Sequence, residues 1–246
     1  MSGHSKWATI KRAKGAKDAA RGKLFGRIIK EISIAARDGG DPDTNARLRM
    51  AVEKGKAANM PADNIKRAIQ RGTGEMEGVN YEENTYEGYG PGGVAFLVET
   101  ITDNKNRTVA ELRHLFSKYG GSLAESGSVA WKFDRKGILT IPRAYGEDDL
   151  MMIALEAGAE DMATEEEYFE IATDPTTFDA VKSALEEKEI EIQESGIQMV
   201  PQNTMKVEGK DAEGVLRLLE MLEDHDDTQN VYADFDIDAD VMASME

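Results

Sequence analysis

Apolar residues at helical spacing dominate the first seventy positions. Leu24, Phe25, Ile28, Ile29, Ile32 and Ala36 form one stripe, with Asp18 suited to cap its start and Gly39-Gly40 to end it. Lys23, Arg27, Lys30 and Arg37 recur at the same spacing, which places four cations on one face away from that stripe. Asp41-Pro42 is expected to open a second helix carrying Leu48, Ala51, Val52 and Gly55. Pro61 opens a third with Ile65, Ala68 and Ile69, closed by Gly72. Residues 1–78 thus read as a basic arm followed by a three-helix domain.

Beyond Gly78 the period shortens to two in several runs, and strands alternate with amphipathic helices in an α+β pattern. Val94–Ile101 reads as a strand, Arg107–Tyr119 as a helix with Val109, Leu112, Leu115 and Phe116 inward, and Ser128–Phe133 as another strand. Next come strand Gly137–Ile141, helix Asp148–Ala157, strand Tyr168–Ala172, helix Thr176–Glu187 and strand Ile190–Val200. This order resembles a ferredoxin-like split unit with an irregular extra strand. The tail offers a strand at Met205, helix Ala212–Leu222 and strand Val231–Ile237. The unit that starts at Gly78 lacks one helix of a two-layer sandwich, and the tail supplies it. The expected organisation is therefore a discontinuous α+β domain, 79–134 plus 205–246, with a ferredoxin-like α+β domain inserted at 135–204.

Charge sharpens this division. The 246 residues carry a net charge of −17, but residues 1–74 hold 17 Lys and Arg against 7 Asp and Glu, or +10, and the rest hold 13 against 40, or −27. With a Debye length of ~8 Å at physiological salt, the basic third can attract a polyanion while the remainder repels it. Five cations, Lys6, Lys11, Arg12, Lys14 and Lys17, occupy the first seventeen residues with no acidic residue among them. Hydrophobic residues at 40% and charged ones at 31% describe a soluble globular chain. No run approaches the ~18 apolar residues of a membrane span, and the first thirty residues lack a signal-peptide core, so a cytoplasmic protein without a membrane partner is expected. The absence of Cys excludes disulfides, thiol nucleophiles and cysteine metal sites.

Motifs for catalysis fare poorly against plainer readings. Gly88, Gly90 and Gly93 in GYGPGG satisfy a dinucleotide fingerprint, but a strand follows where a helix N-terminus is needed, so the segment reads as a glycine-rich loop between strands. No P-loop and no nucleophile elbow occur. The EDHDD run, Glu223–Asp227, reads as a solvated acidic turn, and Asp234, Asp236, Asp238 and Asp240 as one face of an edge strand, with neither a metal site. Asp103–Thr108 reads as a capped turn before a helix, or as a polar tip that offers Lys105 and Arg107 to phosphates. A non-enzymatic protein without metal or cofactor is expected.

GHSKW (Gly3–Trp7), GGDP (Gly39–Pro42), NMPADNIKRAI (Asn59–Ile69), YEGYGPGG (Tyr86–Gly93), DNKNRTVAELR (Asp103–Arg113) and GSVAWKF (Gly127–Phe133) together resemble the YebC family. That resemblance implies one helical and two α+β domains, no cofactor, and a role in gene expression: DNA-binding transcription regulation or, as with the related mitochondrial translational activator, RNA binding at the ribosome in translation regulation and relief of stalling. Asn64, Arg67, Gln70 and Arg71 on the third helix have the chemistry to read base edges in DNA. The Lys-rich arm is spaced like a segment that orders on irregular ribosomal RNA, and Trp7 either stacks on a base or anchors the arm. Lys23, Arg27 and Lys30 are expected to touch phosphates.

Overall fold

The computed structural model describes residues 18–238 and Val241. The chain divides into two compact units, one running up to Ala130 and resuming at Met205, the other formed by Trp131–Thr204.

The first unit opens with α1 (Asp18–Ala35), α2 (Ala46–Ala57) and α3 (Ala62–Thr73). The predicted apolar stripes meet: Ile28, Ile32, Ala35 and Ala36 pack with Leu48, Ala51, Val52, Met60, Ile65 and Ala68 in one buried cluster. Two boundaries differ from the sequence reading. Asp41-Pro42 starts a turn, and α2 begins four residues later, where Asn45 accepts a hydrogen bond from the Leu48 N–H at 3.0 Å. Asn45 also donates to the carbonyls of Ala35 (2.7 Å) and Gly39 (2.9 Å), so one side chain caps α2 and satisfies the end of α1. Gly72 does not close α3, which runs on to Thr73 and ends at Gly74 in the left-handed region. A Cβ on Gly72 would lie 2.3 Å from the Ser33 carbonyl oxygen and 2.6 Å from Ala36 Cβ. The glycine is there to let α3 approach α1.

The same unit continues with β1 (Glu82–Tyr89), β2 (Ala95–Thr102), α4 (Lys105–Lys118) and β3 (Ser122–Leu123). After the second unit the chain returns with β8 (Met205–Lys206), α7 (Gly209–Asp224), β9 (Thr228–Ala233) and β10 (Phe235–Asp236). The sheet order is β3-β1-β2-β9 with antiparallel neighbours, and β8 pairs with β10 in a small parallel ladder. Val94, Phe96 and Val98 from the sheet side pack with Leu112 and Phe116 of α4 and with Val215, Leu216 and Leu219 of α7 in one core. The returning tail does supply the missing helix. GYGPGG is the hairpin loop between β1 and β2, closed by the Gly90 N–H on the Val94 carbonyl at 2.8 Å.

The expected strand at Ser128–Phe133 does not form. The Glu87 carboxylate instead accepts the N–H groups of Gly127 (2.6 Å), Val129 (2.6 Å) and Ala130 (2.8 Å), which holds the segment in a turn. Burial pushes the Glu87 carboxyl upward, but those N–H donors outweigh it and hold its pKa below the usual value. Asp234, read as part of one face of an edge strand, is buried where β9 gives way to β10 and accepts the Ala95 N–H at 2.7 Å.

The second unit contains β4 (Phe133–Pro142), α5 (Glu147–Glu156), β5 (Ala159–Thr164), β6 (Tyr168–Thr173), α6 (Phe178–Glu187) and β7 (Glu194–Pro201). Its chain order β4-α5-β5-β6-α6-β7 and sheet order β5-β6-β4-β7, antiparallel throughout, make the ferredoxin-like arrangement; β5 is its second strand and not an irregular addition.

Replacing Gly72 with Ala should force α1 and α3 apart. We expect a loss of about 1–3 kcal/mol in unfolding free energy, seen as a lower denaturant midpoint with an unchanged slope.

Candidate functional site

The fate of each predicted cation follows from what α7 leaves at its end. A helix terminates in carbonyls without intrahelical partners and carries the negative end of its dipole there, so cations are favoured at that place. Glu223 and Asp224 in the last turn of α7, and Asp226 and Asp227 just after it, add to that charge. The cationic face of α1 docks onto it. Lys23 Nζ donates to the Asp224 carbonyl at 3.1 Å, Arg27 donates to the carbonyls of Glu223 and, at 3.3 Å, His225, and Lys30 Nζ donates to the Asp226 carbonyl at 3.0 Å. Arg37, at the end of the same face, binds Asn80 Oδ1 (2.7 Å) and the Tyr81 carbonyl (2.6 Å). Within the EDHDD run Asp224 and Asp226 keep exposed side chains as a solvated turn would, but the backbone carbonyls and the buried Asp227 receive the α1 face, which is committed to the chain's own carbonyls and carboxylates.

Asp227 is the centre of this docking. Its side chain is only 4% exposed. One oxygen receives Lys30 at 2.7 Å; the other receives Arg107 at 2.7 Å, Thr108 at 2.8 Å and Thr102 at 3.0 Å. Its carbonyl accepts the Ile101 N–H at 2.9 Å. Burial alone would raise its pKa, but the bonds from Lys30, Arg107 and Thr108 prevail and hold it far below the carboxylate range. Arg107 consequently stands partly committed as well, through Asp227 and through Asp103 at 3.0 Å. The capped turn forms, with Asn104 capping α4 by accepting the Arg107 N–H at 3.1 Å, while Thr108 is buried against Asp227.

Glu111, His225 and Asp227 bring potential ligand atoms within 4.8 Å of one another, the one such group among the described residues. Each is already engaged. His225 Nδ1 accepts the Asp227 N–H at 3.2 Å, which leaves Nε2 to donate to Glu111 at 2.9 Å, and both Asp227 oxygens face cations or hydroxyls. A dication would be set beside Lys30 and Arg107, so the arrangement suits a hydrogen-bond network.

The third helix is different. Helix α2 ends with Asn59 in the left-handed region (φ 57°), the Asn59 N–H on the Lys56 carbonyl and the Met60 N–H on the Gly55 carbonyl, both at 2.9 Å. Buried Met60 and then Pro61 start α3, so two helices are joined by the four residues 58–61, as in a helix-turn-helix. Ile65 and Ala68 face the core; Asp63, Lys66, Arg67 and Arg71 are exposed, with Asn64 and Gln70 half-buried. The predicted set Asn64, Arg67, Gln70 and Arg71 is thus brought onto one helix, with Arg67 and Arg71 outward. The Arg71 stem lies against Gly78. Lys66, together with Lys54 and Lys56 on α2, is exposed and has no ion pair with another described residue, as is true of Arg67. These three lysines were not singled out in the sequence, although Lys66 sits beside Arg67 at the spacing that gives the open face. Lys105 is exposed at the first position of α4. Lys6, Trp7, Lys11, Arg12, Lys14 and Lys17 lie outside the described residues.

Two helices joined by a short turn with an open cationic face, followed by a split α+β unit and a ferredoxin-like insertion, define the class of the chain. Comparison with known proteins identifies it. Residues 5–75 match the TACO1/YebC protein N-terminal domain and residues 81–235 the TACO1/YebC second and third domain, so the chain belongs to the TACO1/YebC family. A "probable transcriptional regulatory protein" of Desulfatibacillum aliphaticivorans is 58% identical over 98% of this chain and 99% of its own length. Another so named, from Trichlorobacter lovleyi, is 56% identical over the whole of both chains. The crystal structure of a conserved hypothetical protein from Aquifex aeolicus superposes with a TM-score of 0.82 at 46% identity, covering 90% of this chain and 92% of that one. No helix among the described residues is long and apolar enough to cross a membrane.

Asp227→Asn keeps the shape of the hub and removes its charge. Breaking a buried pair in this way costs about 3–5 kcal/mol, which equilibrium unfolding will register. The pKa of Asp227 is lowered on folding, so its contribution is complete above the unfolded value of ~3.9 and drains away as the pH falls below it. Wild-type stability should drop through that acid window more steeply than the variant's.

Proposed function

We propose that the protein is a non-enzymatic regulator of gene expression that binds nucleic acid through α3, with DNA-dependent control of transcription as its leading role. The observation that carries this reading is the contrast between the two cationic faces: that of α1 is occupied by the α7 turn, whereas Lys66, Arg67 and Arg71 on the second helix of a helix-turn-helix stand open to solvent. The names of the two relatives support the same role. Exposed cations on one helix supply phosphate contacts, and Asn64 and Gln70 beside them supply amides for base edges. The arm, Lys6 to Lys17, adds charge on the same side of the sequence, where the chain carries +10. The chemistry needs neither cofactor nor metal, and the cytoplasm is where both DNA and ribosomes are met.

A second reading, a ribosome-associated factor that contacts ribosomal RNA, draws support from the −27 carried by residues 75–246. Such a body repels a long duplex laid along it and suits an irregular target reached by the arm and the exposed Lys105.

Each lost phosphate contact lowers the salt slope of binding by about 0.9 on duplex DNA and about 0.7 on a single strand. Neutralising Lys66, Arg67 and Arg71 should therefore flatten the slope on DNA, while Lys23→Gln leaves it unchanged. If the α3 variant binds DNA with wild-type affinity and slope but ribosome co-sedimentation is lost when the arm and Lys105 are neutralised, the second reading replaces the first.

A further inference from the structure

Helix α5 of the second unit is apolar on two sides. Leu150 and Ala154 are buried where it packs on β5 and α6, while Met152 at 54% exposure and Leu155 at 48% lie one turn apart on the side turned to solvent. A lone apolar side chain at a surface needs no explanation, but a surface helix ordinarily turns a polar face outward. Among the described residues these are the only two large exposed apolar side chains that share a helix. Asp148 continues their strip at the spacing i, i+4, i+7, and the exposed Asp149 and Glu156 flank it.

The charge around this strip has one sign. Residues 144–181 contain twelve Asp and Glu and no Lys, Arg or His. Lys136 reaches Glu160 from outside that stretch, and Glu147 accepts the Thr164 hydroxyl, but Asp148, Asp149 and Glu156 have no ion pair with another described residue. Two surfaces so acidic repel each other, which makes a second copy of this chain a poor occupant, and nucleic acid or an anionic membrane is repelled on the same ground. An inorganic cation answers the charge and leaves Met152 and Leu155 wet. A peptide helix with apolar residues on one face and Lys or Arg beside them answers both at once. Its apolar face covers the pair, and the unbranched, polarisable Met152 adapts to the shape it meets.

We infer that the outer face of α5 is a docking site for a cationic amphipathic helix of another protein. The site lies within the second unit and is independent of the nucleic-acid reading of α3.

The test uses the full-length chain with methyl-labelled methionine and three end-labelled sixteen-residue peptides. The first carries Leu along one helical face and Lys or Arg elsewhere; the second has the same composition with its Leu spread around the helix; the third is the first with Glu in place of every cation. The first should bind about tenfold more tightly than the second and shift the Met152 methyl resonance, assigned from the Met152→Gln spectrum, whereas the third should not bind. Met152→Gln with Leu155→Gln should reduce binding of the first peptide to that of the second. Asp148→Asn, Asp149→Asn and Glu156→Gln together should weaken both and flatten their salt dependence. The methyl resonance reads the site in the wild-type chain, so the outcome does not hang on how the variants fold. Equal binding of the first two peptides, an unmoved Met152 resonance at saturation, or no binding of the first overturns the docking site. A Met152 shift produced by twelve-nucleotide oligo-dT or by phosphatidylglycerol vesicles, with none from the peptide, assigns the face to another class of ligand and overturns it as well.

Discussion

The arrangement of the first unit depends on one buried carboxylate. Asp227 joins Lys30 of α1 to Arg107, Thr102 and Thr108 at the start of α4, and its backbone extends the β2 edge through Ile101. A lone buried charge would be costly, so this geometry persists only because both oxygens of the carboxylate meet donors, two of them cations. With Lys30 fixed, Arg27 and Lys23 follow about one and two turns earlier on α1 and reach the end of α7, where orphan carbonyls await cations. Charge thereby ties the helical bundle to the sheet.

That constraint sorts the cations. Those of α1 are neutralised locally, and the net positive potential of the N-terminal third is left on α2, α3 and the arm. Helix α3 can stay open because Gly72 lets it lie against α1 with only Ile65, Ala68 and part of Ile69 inward, a narrow apolar stripe that leaves the remaining circumference polar. The fold thus spends one basic face on assembly and leaves another exposed.

Much of this architecture was legible in the sequence because the signals were strong ones. The apolar stripes of α1 and α3, the helices of both α+β domains and a β-α-β-α-β order for the insertion follow from periodicity. The strands that escaped notice, β1 (EENTYEGY) and β5 (AEDMAT), are polar along most of their length and pair through backbone bonds that side-chain pattern does not report. Ser128–Phe133 looked like a strand because its β-branched and aromatic residues were visible, whereas Glu87, forty residues earlier, was not recognisable as the group that would gather its N–H donors. The same blindness to distance affected the site. Lys23, Arg27 and Lys30 form a cationic face by spacing alone, but only the folded chain brings the EDHDD turn, some two hundred residues away, onto it. Lys66 was passed over beside Arg67 because a charge among helix residues carries little weight until the turn at Asn59-Met60 shows which side of α3 is open.

Lysine reactivity tests the central division most directly. Amine-specific labelling of the full chain, with and without saturating DNA and read by mass spectrometry, compares Lys30 with Lys66 in one sample. Lys30 should label slowly in both states because it is bound to Asp227, while Lys66 should label freely alone and be protected in the complex. Rapid labelling of Lys30 in the free protein that nucleic acid then suppresses, with Lys66 unaffected, would show that the α1 face is the one that meets the polyanion.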